Sequence, residues 1–297
     1  MTLVMKFGGS SLASAERLRE VARLVQEAAP SAPLVVLSAI GKTTDKLFHA
    51  AQAARDGDLQ ASLQGAEAIF DSHKDIAAEL FGEEVPEPLA EALDARRDEL
   101  EQLLRGISML RELSPRSMDL VASFGERLST QMLAALLARE EQSAVLFDVR
   151  QVLITDARFG RAVPRKDLVQ LRAHERLRAL LVPGQAVVTQ GYIGATEDGA
   201  TTTLGRGGSD YSAALLGAAV QADEVQIWTD VEGVLTADPR VVPEALPIEE
   251  LSFAEAAELA AFGAKVLHPA TIQPAVEAGI PVTVRHTQRP RGRFTTI

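Results

Sequence analysis

LVMKFGGSSLASAERLREVARLVQEAAPSAPLVVLS, residues 3–38, is the stretch whose reading decides the fold. It begins as an apolar run, LVMKF (3–7), interrupted by one lysine and followed by two glycines and two serines. From Ser14 the period changes. Leu18, Val21, Ala22 and Val25 fall at i, i+3, i+4 and i+7, one face of a helix. Ser14 is the N-cap residue by type and position. The helix stops before Pro30, and LVVLS (34–38) reads as a second strand. Strand, helix and strand in immediate succession form a βαβ unit, which requires a parallel sheet.

The rest of the chain extends this unit. AVLFDV (144–149), QAVVTQ (185–190), EVQIW (224–228) and PVTVR (281–285) read as further strands. Helices fit at 209–221 and 252–262, the latter opened by a Ser252–Glu255 capping box. Residues 45 to about 113 read as helical, interrupted at Pro86 and Pro88, and Ser114-Pro115 starts another helix running to about Glu140. The expected fold is α/β: a three-layer αβα sandwich with a mainly parallel central sheet and a helical insertion at about 60–113. The polar stretch ATEDGATTT (195–203) reads as a mobile loop or as a boundary between two lobes.

The 297 residues carry 30 basic and 41 acidic side chains, a net charge of −11, which argues against a non-specific nucleic-acid or anionic-membrane binder. There is no cysteine, so disulfides, thiolate metal sites and thiol nucleophiles are excluded. The N-terminus lacks a secretory pattern, and no apolar run approaches bilayer length, so a cytoplasmic enzyme is expected. The five histidines (His49, His73, His174, His268, His286) show no metal-ligand spacing.

Several short stretches carry chemistry. In KFGGSS (6–11) a glycine-rich turn between strand and helix offers backbone N–H groups to an anion, and Lys6 adds a positive charge. A plain tight turn with a surface lysine would read the same way. SAIGKTTD (38–45) contains Gly-Lys-Thr, but the P-loop pattern needs a glycine at position 36, where Val36 stands inside a strand. Thr44 remains as a hydroxyl on a loop.

TLGRGGSDYSAALL (203–216) is a second glycine-rich turn opening a helix, with Arg206 placed to meet a carboxylate or phosphate bidentately. A capped helix start beside a solvated arginine is the plainer account. Glu126 sits among Leu120, Val121, Leu128 and Met132, either facing the surface or serving as the carboxylate for an ammonium group. Thr229 and Asp230 lie just past a strand end, where open α/β sheets bind ligands, although a simple turn explains them as well. Lys265 follows a helix and a glycine, where a lysine also complements the helix dipole.

Two phosphate-type turns, two lysines and no candidate base suggest phosphoryl transfer from ATP, with Mg²⁺, to an acceptor that needs no deprotonation. A carboxylate is one, being ionised already at pH 7. Taken in order, KFGGSS, SFGERLS (123–129), TQGYIG (189–194), TLGRGGSDYSAALL, WTDVEGV (228–234), ADPR (237–240) and FGAKVLHP (262–269) resemble the catalytic domain of aspartate kinases, members of the amino-acid-kinase superfamily.

The resemblance covers essentially the whole chain. It implies the amino-acid-kinase fold, with a substrate lobe at about 1–200 and a nucleotide lobe at 201–297. It implies that Lys6 bridges the transferring phosphoryl group, with Gly8, Gly9 and Ser10 along the phosphates. By the same resemblance Thr44, Glu126, Arg206, Gly207, Gly208 and Ser209 would hold L-aspartate, and Asp210 would organise the lysine. Thr229, Asp230, Arg240, Lys265 and Val266 would contact the nucleotide.

The family reaction converts L-aspartate and ATP to 4-phospho-L-aspartate and ADP, the first step towards lysine, threonine and methionine. The alternatives are phosphorylation of acetylglutamate, glutamate, carbamate or UMP by a relative in the superfamily, and a non-catalytic nucleotide-binding module. Leu235 departs from the tyrosine that relatives often carry. Relatives continue into C-terminal regulatory domains that sense small molecules, and such a region is not expected here. The resemblance leaves room for a homodimer, with neither nucleic acid nor membrane as a partner.

Overall fold

The structure is a computed structural model that describes residues 1–82, 84–237, 242, 244–261 and 269–297. Its centre is the expected βαβ unit. Strand β1 (Leu3–Phe7) leads through a short 3₁₀ turn to α1 (Ala15–Ala28), and β2 (Leu34–Leu37) returns parallel to β1. Ser14 caps α1 by accepting the Arg17 N–H at 3.3 Å. The other main strands are β3 (Ala144–Phe147), β4 (Ala186–Gln190), β7 (Glu224–Thr229) and β10 (Val282–His286). Among the described residues, seven strands form one sheet in the order β11-β10-β7-β1-β2-β4-β3, where β11 (Thr295–Thr296) is an antiparallel edge and the rest are parallel. The parallel strands therefore bring their carboxyl ends to one rim.

Side chains alternate across β1, and this alternation places the chemistry. Leu3, Met5 and Phe7 enter the core on one face of the sheet, together with α1, the helical insertion and Phe124. Val4 enters the core on the opposite face, under α8 (Gly208–Val220) and α10 (Pro269–Glu277). Lys6 shares the parity of Val4, so the one charged residue of this buried strand points to the α8 side. Helices thus cover both faces, as the sequence predicts.

The insertion consists of α2 (Thr43–Arg55), α3 (Leu59–Phe81) and α4 (Glu87–Leu110). The single helix expected from Ser114 to about Glu140 is instead two, α5 (Pro115–Ala122) and α6 (Phe124–Arg139). At the break Ser123 donates its hydroxyl to the Leu120 carbonyl at 2.7 Å, a local bond that competes with the helix ladder.

A second correction concerns 195–203. It carries a hairpin, β5 (Ile193–Ala195) with β6 (Thr201–Thr203), antiparallel and buried. The threonines that look like loop composition are β-branched residues suited to a strand. A smaller antiparallel pair, β8 (Val234–Leu235) and β9 (Pro247–Ile248), includes the half-buried Leu235. The helix predicted at 252–262 appears as α9 (Phe253–Ala261), with Ser252 and Glu255 hydrogen-bonded reciprocally as a capping box. No helix among the described residues is long and apolar enough to cross a membrane.

Candidate active site

Lys6 is only 9% exposed, and its ammonium lies 2.5 Å from the Asp210 carboxylate. Asp210 stands in the first turn of α8, which covers the face that Lys6 points to. The two residues come from opposite parts of the chain and meet because of strand parity and the position of α8.

The pair lies at the edge of a cleft of about 640 Å³, whose walls also carry Thr44, Glu126 and the whole turn Gly205–Ser209. The turn needs its glycines. Gly205 and Gly207 both have positive φ, at 76° and 71°, and a Cβ on Gly207 would sit 2.8 Å from the Thr271 methyl. Such backbone is strained for any other residue. Gly207 caps α8 without a side-chain hydrogen bond. Arg206 is exposed at the cleft and makes no ion pair among the described residues.

Glu126 is the reverse case. It is 3% exposed on α6, and its Oε1 accepts the Ala39 N–H at 3.1 Å. Its Oε2 is buried without a partner among the described residues. Burial, opposed by its own backbone N–H and that of Ala39, leaves its pKa raised from the ordinary 4.5 to about 8. The close approach of α6 to the 38–41 loop requires Gly125, because a Cβ there would lie 2.6 Å from that of Ala39. The same approach brings Thr44 and Glu126 into one wall.

Of the remaining residues predicted for nucleotide contacts, the described ones lie beside the cleft rather than in it. Gly8 donates its N–H to the Trp228 carbonyl at 3.3 Å, and its Cα faces the Lys6 ammonium. The Gly9 carbonyl accepts the Gly41 N–H at 3.0 Å, tying the ends of β1 and β2 together. Ser10, Thr229 and Asp230 line a separate small recess between the ends of β7 and β10. Thr229 donates its hydroxyl to Asp230 at 3.2 Å. The turn at 8–11 lies ahead of α1, whose start is at the expected Ser14 cap. A 3₁₀ turn, Gly9–Leu12, intervenes, and the Ser14 side chain meets the Arg17 N–H of α1. Arg240, Lys265 and Val266 lie outside the described residues.

Among the cleft residues that escape the sequence reading are Tyr192 and Asp119. Tyr192 has a φ of 66°, unusual for a bulky side chain. It is held there by an N–H donated to the Ser212 hydroxyl at 2.9 Å and a carbonyl accepting the Leu204 N–H at 2.9 Å. Burial raises its phenol pKa, and the nearby Glu126 and Asp119 carboxyls raise it further. Asp119, on α5, is 2% exposed and also lines the cleft. Its signal in the sequence, an acid next to a run of apolar residues, is the one that picks out Glu126.

Comparison with known proteins follows the same outline. The chain is 42% identical over 301 residues to the lysine-sensitive aspartokinase 3 of Escherichia coli (strain K12), an alignment covering 99% of this chain and 64% of that protein. It is 41% identical over 306 residues to the chloroplastic aspartokinase 1 of Arabidopsis thaliana, covering 100% of this chain and 52% of that one. The chain thus spans about half to two thirds of the length of these relatives. The crystal structure of E. coli aspartokinase III in complex with aspartate and ADP (R-state) superposes with a TM-score of 0.84 at 40% identity, over 100% of this chain and 64% of that one. The model of the amino acid kinase family matches residues 1–286, nearly the whole of the sheet and both walls of the cleft, and the chain belongs to that family.

Proposed function

We propose that the chain phosphorylates the side-chain carboxylate of L-aspartate with ATP, giving 4-phospho-L-aspartate and ADP. The observation that carries this reading is the buried, half-satisfied Glu126 in the same cleft as Arg206 and the Lys6–Asp210 pair. An α-amino acid presents an ammonium and a carboxylate on one carbon. Glu126 supplies the oxygen for the first, and Arg206 supplies the fork for the second. The relatives named above are aspartokinases, and one of them is seen with aspartate and ADP.

The side-chain carboxylate then faces the transferring phosphoryl group with no proton to lose. An oxygen–phosphorus bond forms from the carboxylate while the bond from the γ-phosphorus to the bridging oxygen breaks, and ADP leaves with that electron pair. Lys6 holds positive charge where negative charge shifts, and Asp210 fixes the ammonium in place. Thr44 and the turn Gly207–Ser209 complete the aspartate wall. Gly8, Gly9, Ser10, Thr229 and Asp230 are assigned to the nucleotide, as are Arg240, Lys265 and Val266.

Among the described residues no group of three or more metal-binding side chains is present. The protein side therefore fits Mg²⁺ only as the partner of the ATP phosphates, needing at most one or two carboxylates such as Asp210. When bound, the ion neutralises phosphate charge. In the same reading residues 1–200 form the substrate lobe and 201–297 the nucleotide lobe, with the Arg206 turn crossing between them. A cytoplasmic location and a homodimer complete the proposal, to be read from cell fractionation and from the mass in solution.

The deciding experiment traps the acyl phosphate with hydroxylamine, offering aspartate, glutamate and N-acetylglutamate with ATP. Hydroxamate from aspartate alone is the expected result. A preference for the acetylated acid would overturn the assignment, since an acetylated nitrogen has no use for an anionic partner. A non-catalytic nucleotide-binding module, which yields no hydroxamate from any of the three, is opposed by the buried Lys6–Asp210 pair.

A further inference from the structure

Asp119 is a buried carboxylate that the proposed chemistry does not use. It makes no ion pair among the described residues. Its three hydrogen bonds all come from neutral donors on two other segments. Oδ2 accepts the Gly160 N–H and the Thr203 N–H, each at 2.9 Å, and Oδ1 accepts the Thr203 hydroxyl at 2.8 Å. Burial raises its pKa and these bonds lower it again. The two segments it gathers are also joined to each other, by the Ala162 N–H donated to the Thr203 carbonyl at 2.8 Å. Thr203 is the last residue of β6, and after Leu204 the positive-φ turn that carries Arg206 begins at Gly205.

We infer that Asp119 is a positioning residue. By pinning Gly160 and Thr203 to α5 it sets where the 205–208 turn leaves the hairpin, and so where the Arg206 guanidinium stands in the cleft. Nothing else in the described structure holds Arg206 itself, so its reach is determined by the backbone that carries it. A charged carboxylate suits this task because it accepts three donors at once. An asparagine keeps the geometry by a different route. Its carbonyl accepts both N–H groups, and its amide donates to the Thr203 hydroxyl, which accepts as readily as it donates. An alanine leaves the three donors without an acceptor.

The kinetic part of the test rests on the aspartate-kinase reading, and the hydrogen-exchange part does not. In Asp119→Ala the KM for aspartate should rise about 10-fold, as for the loss of hydrogen bonds to a charged group, with the KM for ATP within about threefold. Asp119→Asn should restore both to within about threefold of the parent chain. Amide exchange in the ligand-free Asp119→Ala protein should speed up at 158–162 and 203–209 and stay unchanged along β1 and β2. Thr203→Val, which removes one donor and no backbone contact, should raise the aspartate KM about threefold, and it decides the matter if Asp119→Ala does not fold.

Three results would overturn the inference. One is an asparagine variant as impaired as the alanine, which would give Asp119 a charge-dependent role. Another is equal loss for aspartate and ATP, which would make it merely structural. The third is unchanged exchange at 203–209. If the parent chain fails to phosphorylate aspartate, the functional reading falls while the exchange pattern still judges the positioning role.

Discussion

Glu126 should make aspartate binding depend on pH, and the structure sets the size of the effect. Its carboxyl is buried, with the Ala39 N–H on Oε1 and no partner for Oε2 among the described residues, and its pKa is raised to about 8. At pH 7 such a group is about nine-tenths protonated in the empty cleft, and the ammonium of aspartate needs it ionised; removing the proton costs about 1.4 kcal/mol, roughly a factor of ten in apparent affinity. The KM for aspartate should therefore fall nearly tenfold per pH unit from pH 6 towards 8 and level off above, measured by ADP release over pH 6–9. Glu126→Gln should show a KM raised tenfold or more above pH 8, with no slope.

Stability gives an independent readout. The folded pKa lies above the unfolded value, so the folded state holds a proton that the unfolded chain has already lost. Stability falls as pH rises from about 4.5 to 8 and is flat above. The parent Tm should therefore drop between pH 6 and 8.5, while that of Glu126→Gln should change less. A flat parent KM between pH 6 and 8, or an undiminished slope in the glutamine variant, would refute the reasoning.

Other expectations follow from the same geometry. Lys6→Met should lower kcat by roughly 10²–10³, as for other preorganised charge stabilisers, and change the KM for ATP much less; near-normal turnover would remove Lys6 from the mechanism. Arg206→Lys keeps the charge but loses the fork, so the aspartate KM should rise about 10-fold with ATP little affected. Gly125→Ala forces a Cβ to within 2.6 Å of Ala39 and should raise the aspartate KM and lower the Tm together; an unchanged KM would show that α6 yields without moving Glu126.

Much of this site is legible in the sequence because its signals are local violations of pattern. Lys6 is a charge in a buried strand, Glu126 a charge in an apolar helix, and the 205–208 turn a cluster of glycines before a helix. What the sequence hides is set by partners far along the chain. Asp119 shows the same signal as Glu126, but its role depends on Gly160 and Thr203, which only the folded hairpin brings to it. The hairpin itself looks like a polar loop, because buried threonines pair their hydroxyls with each other and with backbone, as Thr155 and Thr202 do at 2.8 Å. The division of the 114–140 helix turns on one serine hydroxyl bonding backward, a choice that composition does not reveal.

The central place of β1 has a consequence for how the protein is made. Strand β1 has β2 as an early neighbour on one side, but its other neighbour, β7, follows in the sequence only at Glu224–Thr229, long after β2 at Leu34–Leu37. At ordinary synthesis rates the nascent chain waits on the order of 10–40 s with one side of β1 unpaired. During that interval a strand edge that is apolar apart from Lys6 is open to pairing with other chains. Truncated products that end before β7 should therefore be the aggregating species, and chaperone dependence should be concentrated in synthesis of the stretch between β2 and β7.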